Sequence, residues 1–405
     1  MIIGIDASRA NLVRKTGTEW YSFYLIKNLA EIDHENTYWL YVNKRPQPDL
    51  LAIVAACPNF SIRILKSPLS LDYFWTLGRL TWEMLWRRPD VLFVPAHGLP
   101  LFGPRKTVNT IHDLAFWREQ NLYRSFSVKT KRLGSHRLIN LLVKVLTGGH
   151  YTANSLDYLY WSTAFALRHA KKIIAVSENT KREILEIYKK TPANKITVVP
   201  NGYNETLYPP DGGSDKVSAV LSEYNLPKSY LLYVGRLEKK KNTLTLVEAF
   251  ALLKENHPEL DLNLVLVGDA GFGYDDVQYT ITEYNLENSV YLPGWVKEDK
   301  LPYIFAGAAA FIFPSKHEGF GIPILQAAAC GVPVAVSDIP VLHEVAGEAA
   351  LYFNHQDKFA IEAAMFQIVS DEMLRRDLVA KGLKRVKKFS WRRCATDTLD
   401  ILTNL

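Results

Sequence analysis

Two doubly wound α/β domains in series are predicted by three observations. The chain has 405 residues, more than one hydrophobic core ordinarily organises. Short runs rich in Val, Ile, Leu and aromatic residues alternate with longer helical patterns. These runs are apolar on both faces, as strands of a parallel sheet covered by helices must be. The alternation lapses once, near residues 203–228, where "YNETLYPPDGGSD" and "NLPKS" carry Pro, Gly, Asn and Asp at the density of a linker.

In chain order, the first alternation supplies "IIGIDAS", "TYWLYVN", "SIRILK", "DVLFVPA", "TVNTIHD", "KIIAVSE" and "ITVVPNG", so residues 1–202 form the first domain. Asn201 and Gly202 stand where the chain changes domain. The second alternation, over 229–388, runs "YLLYVGRL", a helix "TLTLVEAFALLKEN", then "LNLVLVG", "SVYLPGW", "AAFIFPS", a helix "GIPILQAAAC", "PVAVSD" and "ALYFN". Residues 389–405, "FSWRRCATDTLDILTNL", are amphipathic and are expected to pack back on the first domain. Open α/β sheets bind ligands beyond the carboxyl ends of their strands. Two such domains facing each other are expected to enclose a central cleft.

Composition narrows the class. The chain is 48% hydrophobic and 22% charged, which suits a globular protein. Cys57, Cys330 and Cys394 form no C-x-x-C pair and are too scattered for a disulfide framework, so a reducing compartment is expected. The start "MIIGIDAS" lacks the basic and apolar segments of a secretion signal, and no run reaches the ~18 to 20 apolar residues that span a bilayer. The expected location is cytoplasmic, with any membrane contact peripheral, at the inner surface. Residues 1–200 hold 28 Lys+Arg against 15 Asp+Glu, whereas residues 201–405 hold 20 against 27. A basic first half attracts phosphates or forms a solvated surface. No aromatic-basic recognition motif accompanies it, so no nucleic-acid partner is expected.

Three stretches carry chemistry. In "SKHEGFGIPILQAAACGVPVAVS", Glu318 precedes Gly319, Phe320 and Gly321, and Ile322 and Pro323 open a helix. Missing side chains there let backbone amides approach an anion, and Pro fits an early helical position. The plainer reading makes Glu318 a helix-dipole partner worth about 0.3–1 kcal/mol. In "YVGRLEKKKN", Gly235 and Arg236 end an apolar strand and Lys241 precedes a helix, a pair of cations suited to a diphosphate. Lys239 and Lys240 read as a solvated turn. In "TIHD", His112 and Asp113 end a parallel strand.

The first of these resembles the E-x7-E signature of retaining nucleotide-sugar glycosyltransferases of family four, which have the GT-B fold of two Rossmann-like domains. The supporting blocks stand in the family's order: a glycine loop after the first strand, "TIHD", "AKKIIAVSENTKREI", "ITVVPNG", "YVGRLEKKKN", "LVLVGD" and the closing "FSW". The resemblance implies a nucleotide-sugar donor as substrate and no separate cofactor. It assigns Arg236 and Lys241 to the diphosphate, Glu318 to the sugar hydroxyls, and His112 to the donor sugar, with Asp113 as its orienting or structural neighbour. Gly235, Gly268 and the "PGWV" loop with Trp295 and Val296 would line the nucleotide, and Gly319, Phe320, Gly321 and Ile322 would approach sugar and phosphate. Gly17 either lines the phosphates or sits in an ordinary strand-to-helix turn, and Glu178 is a weaker candidate for the cleft floor.

The sequence departs from the family at Gln326, where a glutamate usually binds the ribose hydroxyls. A Gln offers one acceptor oxygen and two N–H donors and loses a charge-assisted bond. The expected reaction is transfer with retention, of a hexosyl group and in the leading case mannosyl from GDP-mannose, to a saccharide or lipid-linked acceptor in cell-surface polysaccharide synthesis. No D-x-D triplet occurs, so no metal is expected and cations would stabilise the leaving diphosphate. A UDP-sugar enzyme and a weakly catalytic sugar-nucleotide-binding subunit are the alternatives. An epimerase or a phosphorylase would need motifs that are not found. Residues 118–150 carry seven Lys/Arg, one Glu and the apolar run "LINLLVKVL". They form either a membrane-surface helix or a buried helix with solvated cations.

Overall fold

A computed structural model describes residues 1–65, 75–118, 120, 155–209 and 213–405. The chain divides into two compact units, Met1–Asn201 together with Trp391–Leu405, and Gly202–Ser390.

Among the described residues the first unit holds seven parallel strands: β1 (Ile2–Asp6), β2 (Thr37–Val42), β3 (Phe60–Ile64), β4 (Val91–Val94), β5 (Lys106–Ile111), β6 (Lys172–Ala175) and β7 (Ile196–Val198). Their order is β3-β2-β1-β4-β5-β6-β7. The chain winds outward from β1 to β3 and then returns to β4 on the other side of β1, which places a topological switch point between β1 and β4. Residues Val91–Val94 are at most 1% exposed, because helices cover both faces of the sheet. Leu92, Val94, Ile111, Ile173 and Ala175 join one core cluster with Ala166 and Leu167 of the helix Ser155–His169.

The last helix, Trp391–Thr403, buries Trp391, Cys394, Ala395, Thr398 and Leu402, a helical stripe. That stripe lies on the helix Gly17–Ile32. Trp391 stacks on Tyr24 with ring centroids 5.5 Å apart and planes 11° apart, and meets Tyr21 edge-on at 6.1 Å.

Among the described residues the second unit holds six parallel strands: β8 (Tyr230–Val234), β9 (Asn263–Val267), β10 (Val290–Gly294), β11 (Ala310–Phe313), β12 (Val334–Ser337) and β13 (Leu351–Phe353). Their order is β10-β9-β8-β11-β12-β13, so the switch point lies between β8 and β11.

Two expected boundaries shift. Residues 203–228 are part of the second unit, not a linker: Tyr208 is 1% exposed, and the helix Gly213–Glu223 packs on the helix Leu301–Ala306. Glu223 also accepts from Lys300 at 2.9 Å. Pro and Gly density reports local backbone breaks, whereas burial of Val220 and Leu221 decides membership of a core. Phe389 likewise lies in the second unit, its ring edge-on to Phe320 at 5.6 Å, so the returning segment starts at Trp391.

Candidate active site

The loops after β8, β9 and β11 converge at the second unit's switch point. Gly235 donates to the Val267 carbonyl (2.9 Å) and Gly268 donates to the Gly294 carbonyl (2.9 Å), so these loops leave the sheet side by side. A Cβ on Gly268 would stand 2.0 Å from the Gly235 carbonyl oxygen, and its φ of +145° is one that L side chains rarely adopt. Only glycine fits. Lys316 donates to the Lys240 carbonyl (3.1 Å), which ties the β11 loop to the β8 loop.

Lys241 ends a 3-10 turn, Lys239–Lys241, and Asn242 follows in the left-handed region at φ 60° to start the helix Thr243–Asn256. Asn242 donates its amide to the His355 carbonyl at 2.7 Å, which fixes the turn. Lys241 Nζ then reaches Glu318 Oε1 at 2.5 Å, joining two motif residues 77 positions apart. Both side chains are largely buried, at 18% and 9% exposure, so the pair is held more firmly than a surface ion pair. Arg236, by contrast, is exposed, and its carbonyl accepts from the Tyr233 hydroxyl at 3.0 Å. Lys239 pairs with Asp276 at 2.8 Å on the surface.

Beyond Glu318, Gly319 and Phe320 are buried, and Gly321 adopts φ +102° as the helix Ile322–Ala329 begins, with Pro323 in its first turn and no side-chain cap. An uncapped helix start directs positive potential outward. Trp295 is half-buried and Val296 buried, after β10.

Gln326 donates Nε2 to the Tyr208 hydroxyl at 3.0 Å. The contact crosses 118 positions, and nothing in the local pattern around Tyr208 announced it. It leaves Oε1 as the side chain's acceptor.

In the first unit, His112 follows β5 beside the switch-point strand β4. Its Nε2 lies 2.9 Å from the Pro95 carbonyl and its ring meets Tyr21 edge-on at 4.8 Å. Burial, with His97 nearby, lowers its pKa to about 4. The ring is therefore neutral at pH 7, with Nε2–H donated to Pro95 and Nδ1 left as an acceptor. A sugar hydroxyl would then meet Nδ1 as an acceptor rather than a ring N–H. Asp113 accepts from the Ala115 amide at 3.1 Å, capping the short helix Ala115–Arg118. His97, which sequence reasoning passed over, contacts the Asp113 carbonyl at 3.1 Å. Its signal was its place just after β4.

Gly17 opens its helix with a carboxylate in the first turn: Thr16 N donates to Glu19 at 3.2 Å, and Arg9 pairs with Glu19 at 3.4 Å. A Cβ on Gly17 would meet nothing within 4 Å. Glu178 is exposed at the start of the helix Glu178–Ile187, whose cap is Ser177. Residues 119 and 121–150 of the basic stretch lie outside the described residues. Arg118 pairs with Glu186 at 3.4 Å.

Two doubly wound parallel-sheet units in one chain are the architecture of the GT-B fold, with its two Rossmann-like domains. Solved structures share it: sucrose-phosphate synthase from Thermosynechococcus elongatus superposes with a TM-score of 0.72 at 19% identity, covering 100% of this chain and 98% of that one. WaaG, a glycosyltransferase involved in lipopolysaccharide biosynthesis, gives 0.71 at 13% identity and 100% of both chains. Residues 15–207 match Glycosyltransferase Family 4, and residues 222–385 match Glycosyl transferases group 1. Each half of the chain thus matches a glycosyltransferase family.

Among curated proteins, it is 34% identical over 253 residues to O-antigen chain mannosyltransferase B of Escherichia coli, covering 62% of this chain and 65% of that protein. It is 28% identical over 323 residues to O-antigen chain mannosyltransferase RfbU of Salmonella typhimurium, covering 75% and 81%. It is 27% identical to the serotype-specific mannosyltransferase WbdA of Escherichia coli over 30% of that protein's length. The match to the first and third spans less than two thirds of their length.

Proposed function

We propose that the protein transfers a hexosyl group, mannosyl from GDP-mannose in the leading case, to a saccharide or lipid-linked saccharide acceptor in cell-surface polysaccharide synthesis. The observation that carries this reading is the buried Lys241–Glu318 pair beside an uncapped helix start at the switch point. Relatives named as O-antigen mannosyltransferases support the sugar.

In this reading Lys241 bridges two functions. Its ammonium faces the donor diphosphate while still paired to Glu318, whose second oxygen accepts from sugar hydroxyls. Arg236, exposed at the end of β8, folds onto the phosphates when donor binds. As the bond from the anomeric carbon to the diphosphate breaks, negative charge grows on the leaving oxygen. Guanidinium, ammonium and helix amides stabilise that charge without a metal. The acceptor hydroxyl attacks on the same face as the diphosphate leaves and passes its proton to the departing phosphate oxygen, so configuration is retained.

Nucleotide release from a panel of GDP- and UDP-sugars tests this. Turnover with one donor should persist in a metal chelator and fall by about 100-fold or more in Arg236→Ala, the magnitude typical of losing a group that stabilises a developing anion. Turnover that ignores the substitution would sink the diphosphate assignment. The neutral Gln326 favours a second reading, a subunit that binds sugar nucleotide without transferring it. Saturable binding with no release by the wild-type chain would establish it.

A further inference from the structure

The first unit carries an apolar surface outside the residues assigned above to transfer. The helix Thr81–Trp86 continues directly from a π-helical turn, Trp75–Leu80. Its inner face buries Leu80, Thr81 and Met84. Its outer face presents Trp82, Leu85 and Trp86 at 58%, 42% and 72% exposure, the i, i+3, i+4 spacing of a single stripe. A solvent-facing helix normally puts polar residues there. This one puts two indoles, with ring centroids 6.0 Å apart.

The stripe continues across the chain. Leu101 N donates to Thr81 Oγ1 at 2.9 Å, which sets the segment Leu101–Phe102 against the helix, and these two are 42% and 55% exposed. Cations follow these residues in the chain or lie at the same end of the sheet. Arg87 and Arg88 are exposed just before β4, and Arg105 and Lys106 are exposed at the start of β5, where Lys106 lies level with Val91. Arg168, His169 and Lys171 are exposed at the start of β6. One exposed carboxylate lies among them, Asp90, which accepts from the Ile2 amide at 2.7 Å, a bond that leaves its charge in place; the cations outnumber it.

We propose that this apolar stripe with its flanking cations docks the protein on an anionic lipid bilayer. Indoles are favoured at the boundary between headgroups and acyl chains, where the ring body is buried and the N–H stays wet. Arginines beside them meet anionic headgroups, and the two attractions add. The surface lies at the strand-start end of the first sheet, whereas His112 and Pro95 follow strand ends. Docking there leaves the strand ends of this unit open. Among the described residues no helix is long and apolar enough to cross a membrane, and this surface requires none.

Co-sedimentation of the full chain with phosphatidylcholine vesicles, with and without phosphatidylglycerol, tests the proposal without any donor sugar, so its failure is separable from failure of the transfer reading. The wild-type chain should pellet with the anionic vesicles only, and should be released by raised salt. Trp82→Ser/Trp86→Ser should lower partitioning by at least about tenfold. Arg87→Ser/Arg105→Ser, which spares the bond from Arg88 Nε to the Met84 carbonyl (2.7 Å), should lower it by roughly fivefold per cation. Unfolding transitions matching wild type establish that the variants fold. Indifference of the wild-type chain to lipid charge overturns the proposal. So does wild-type binding by both variants with loss in Lys129→Ser/Lys131→Ser/Arg132→Ser, which would move the contact to residues 118–150. A wild-type dimer that Trp82→Ser/Trp86→Ser converts to monomer would assign the surface to a second copy of the chain and overturn it as well.

Discussion

At the scale of single residues, position 326 separates chemistry from packing. With Gln326, the amide nitrogen is held by the Tyr208 hydroxyl at 3.0 Å, so the oxygen is oriented as the free acceptor. Tyr208, 1% exposed, acts as a positioning residue for that oxygen. In the ribose-binding role that the family resemblance implies for this position, Gln326→Glu would let the hydroxyl donate to one carboxylate oxygen and offer the other to a ribose hydroxyl, converting a neutral bond to a charge-assisted one. That exchange is worth about 1 kcal/mol, or roughly fivefold. KM for the nucleotide sugar should therefore fall roughly fivefold with kcat unchanged. Tyr208→Phe should raise KM and weaken discrimination between nucleoside and 2′-deoxynucleoside diphosphates, a readout that loss of packing alone does not move. An unchanged ratio of those two affinities in Tyr208→Phe would remove Tyr208 from the positioning role.

At the scale of elements, the strand ends decide which glycines matter. Gly268→Ala places a methyl 2.0 Å from the Gly235 carbonyl oxygen, and neither backbone can yield without parting the β8 and β9 loops. A destabilisation of about 1–3 kcal/mol is expected, together with loss of donor binding. Gly17→Ala meets open space at the start of a helix and should be neutral, or stabilising by up to about 1 kcal/mol. Thermal unfolding and turnover of both variants check this contrast. Full turnover in Gly17→Ala would make that loop an ordinary turn. The strands were legible in the sequence because "DVLFVPA" and "AAFIFPS" are apolar on both faces and admit little else. The Lys241–Glu318 pair was legible only as two separate motifs. Its 2.5 Å contact depends on β8 and β11 being neighbours across the switch point, which no local pattern encodes. Tyr208 was illegible for the opposite reason: its Pro-rich surroundings read as a linker, although its ring is buried in the second unit.

At the scale of the whole molecule, the chain leaves the first unit at Asn201, completes the second, and returns at Trp391. The returning helix therefore stabilises a unit that was otherwise finished about 190 residues earlier. Trp391 is 4% exposed and stacks on Tyr24 while meeting Tyr21, whose other edge contact is the ring of His112. Removing the indole in Trp391→Ala should cost about 3–5 kcal/mol, the usual loss for a large aromatic truncated in a core. The loss should fall on the first unit alone, since Trp391 belongs to it. Scanning calorimetry should then show one transition moved down and the other in place, and a truncation before Trp391 should move the same transition further. The identity of the moved transition is set by ligand: the nucleoside diphosphate that protects the second unit by mass action should raise only the unmoved one. If the ligand-sensitive transition falls instead, the helix serves the second unit and the assignment of the returning segment is wrong.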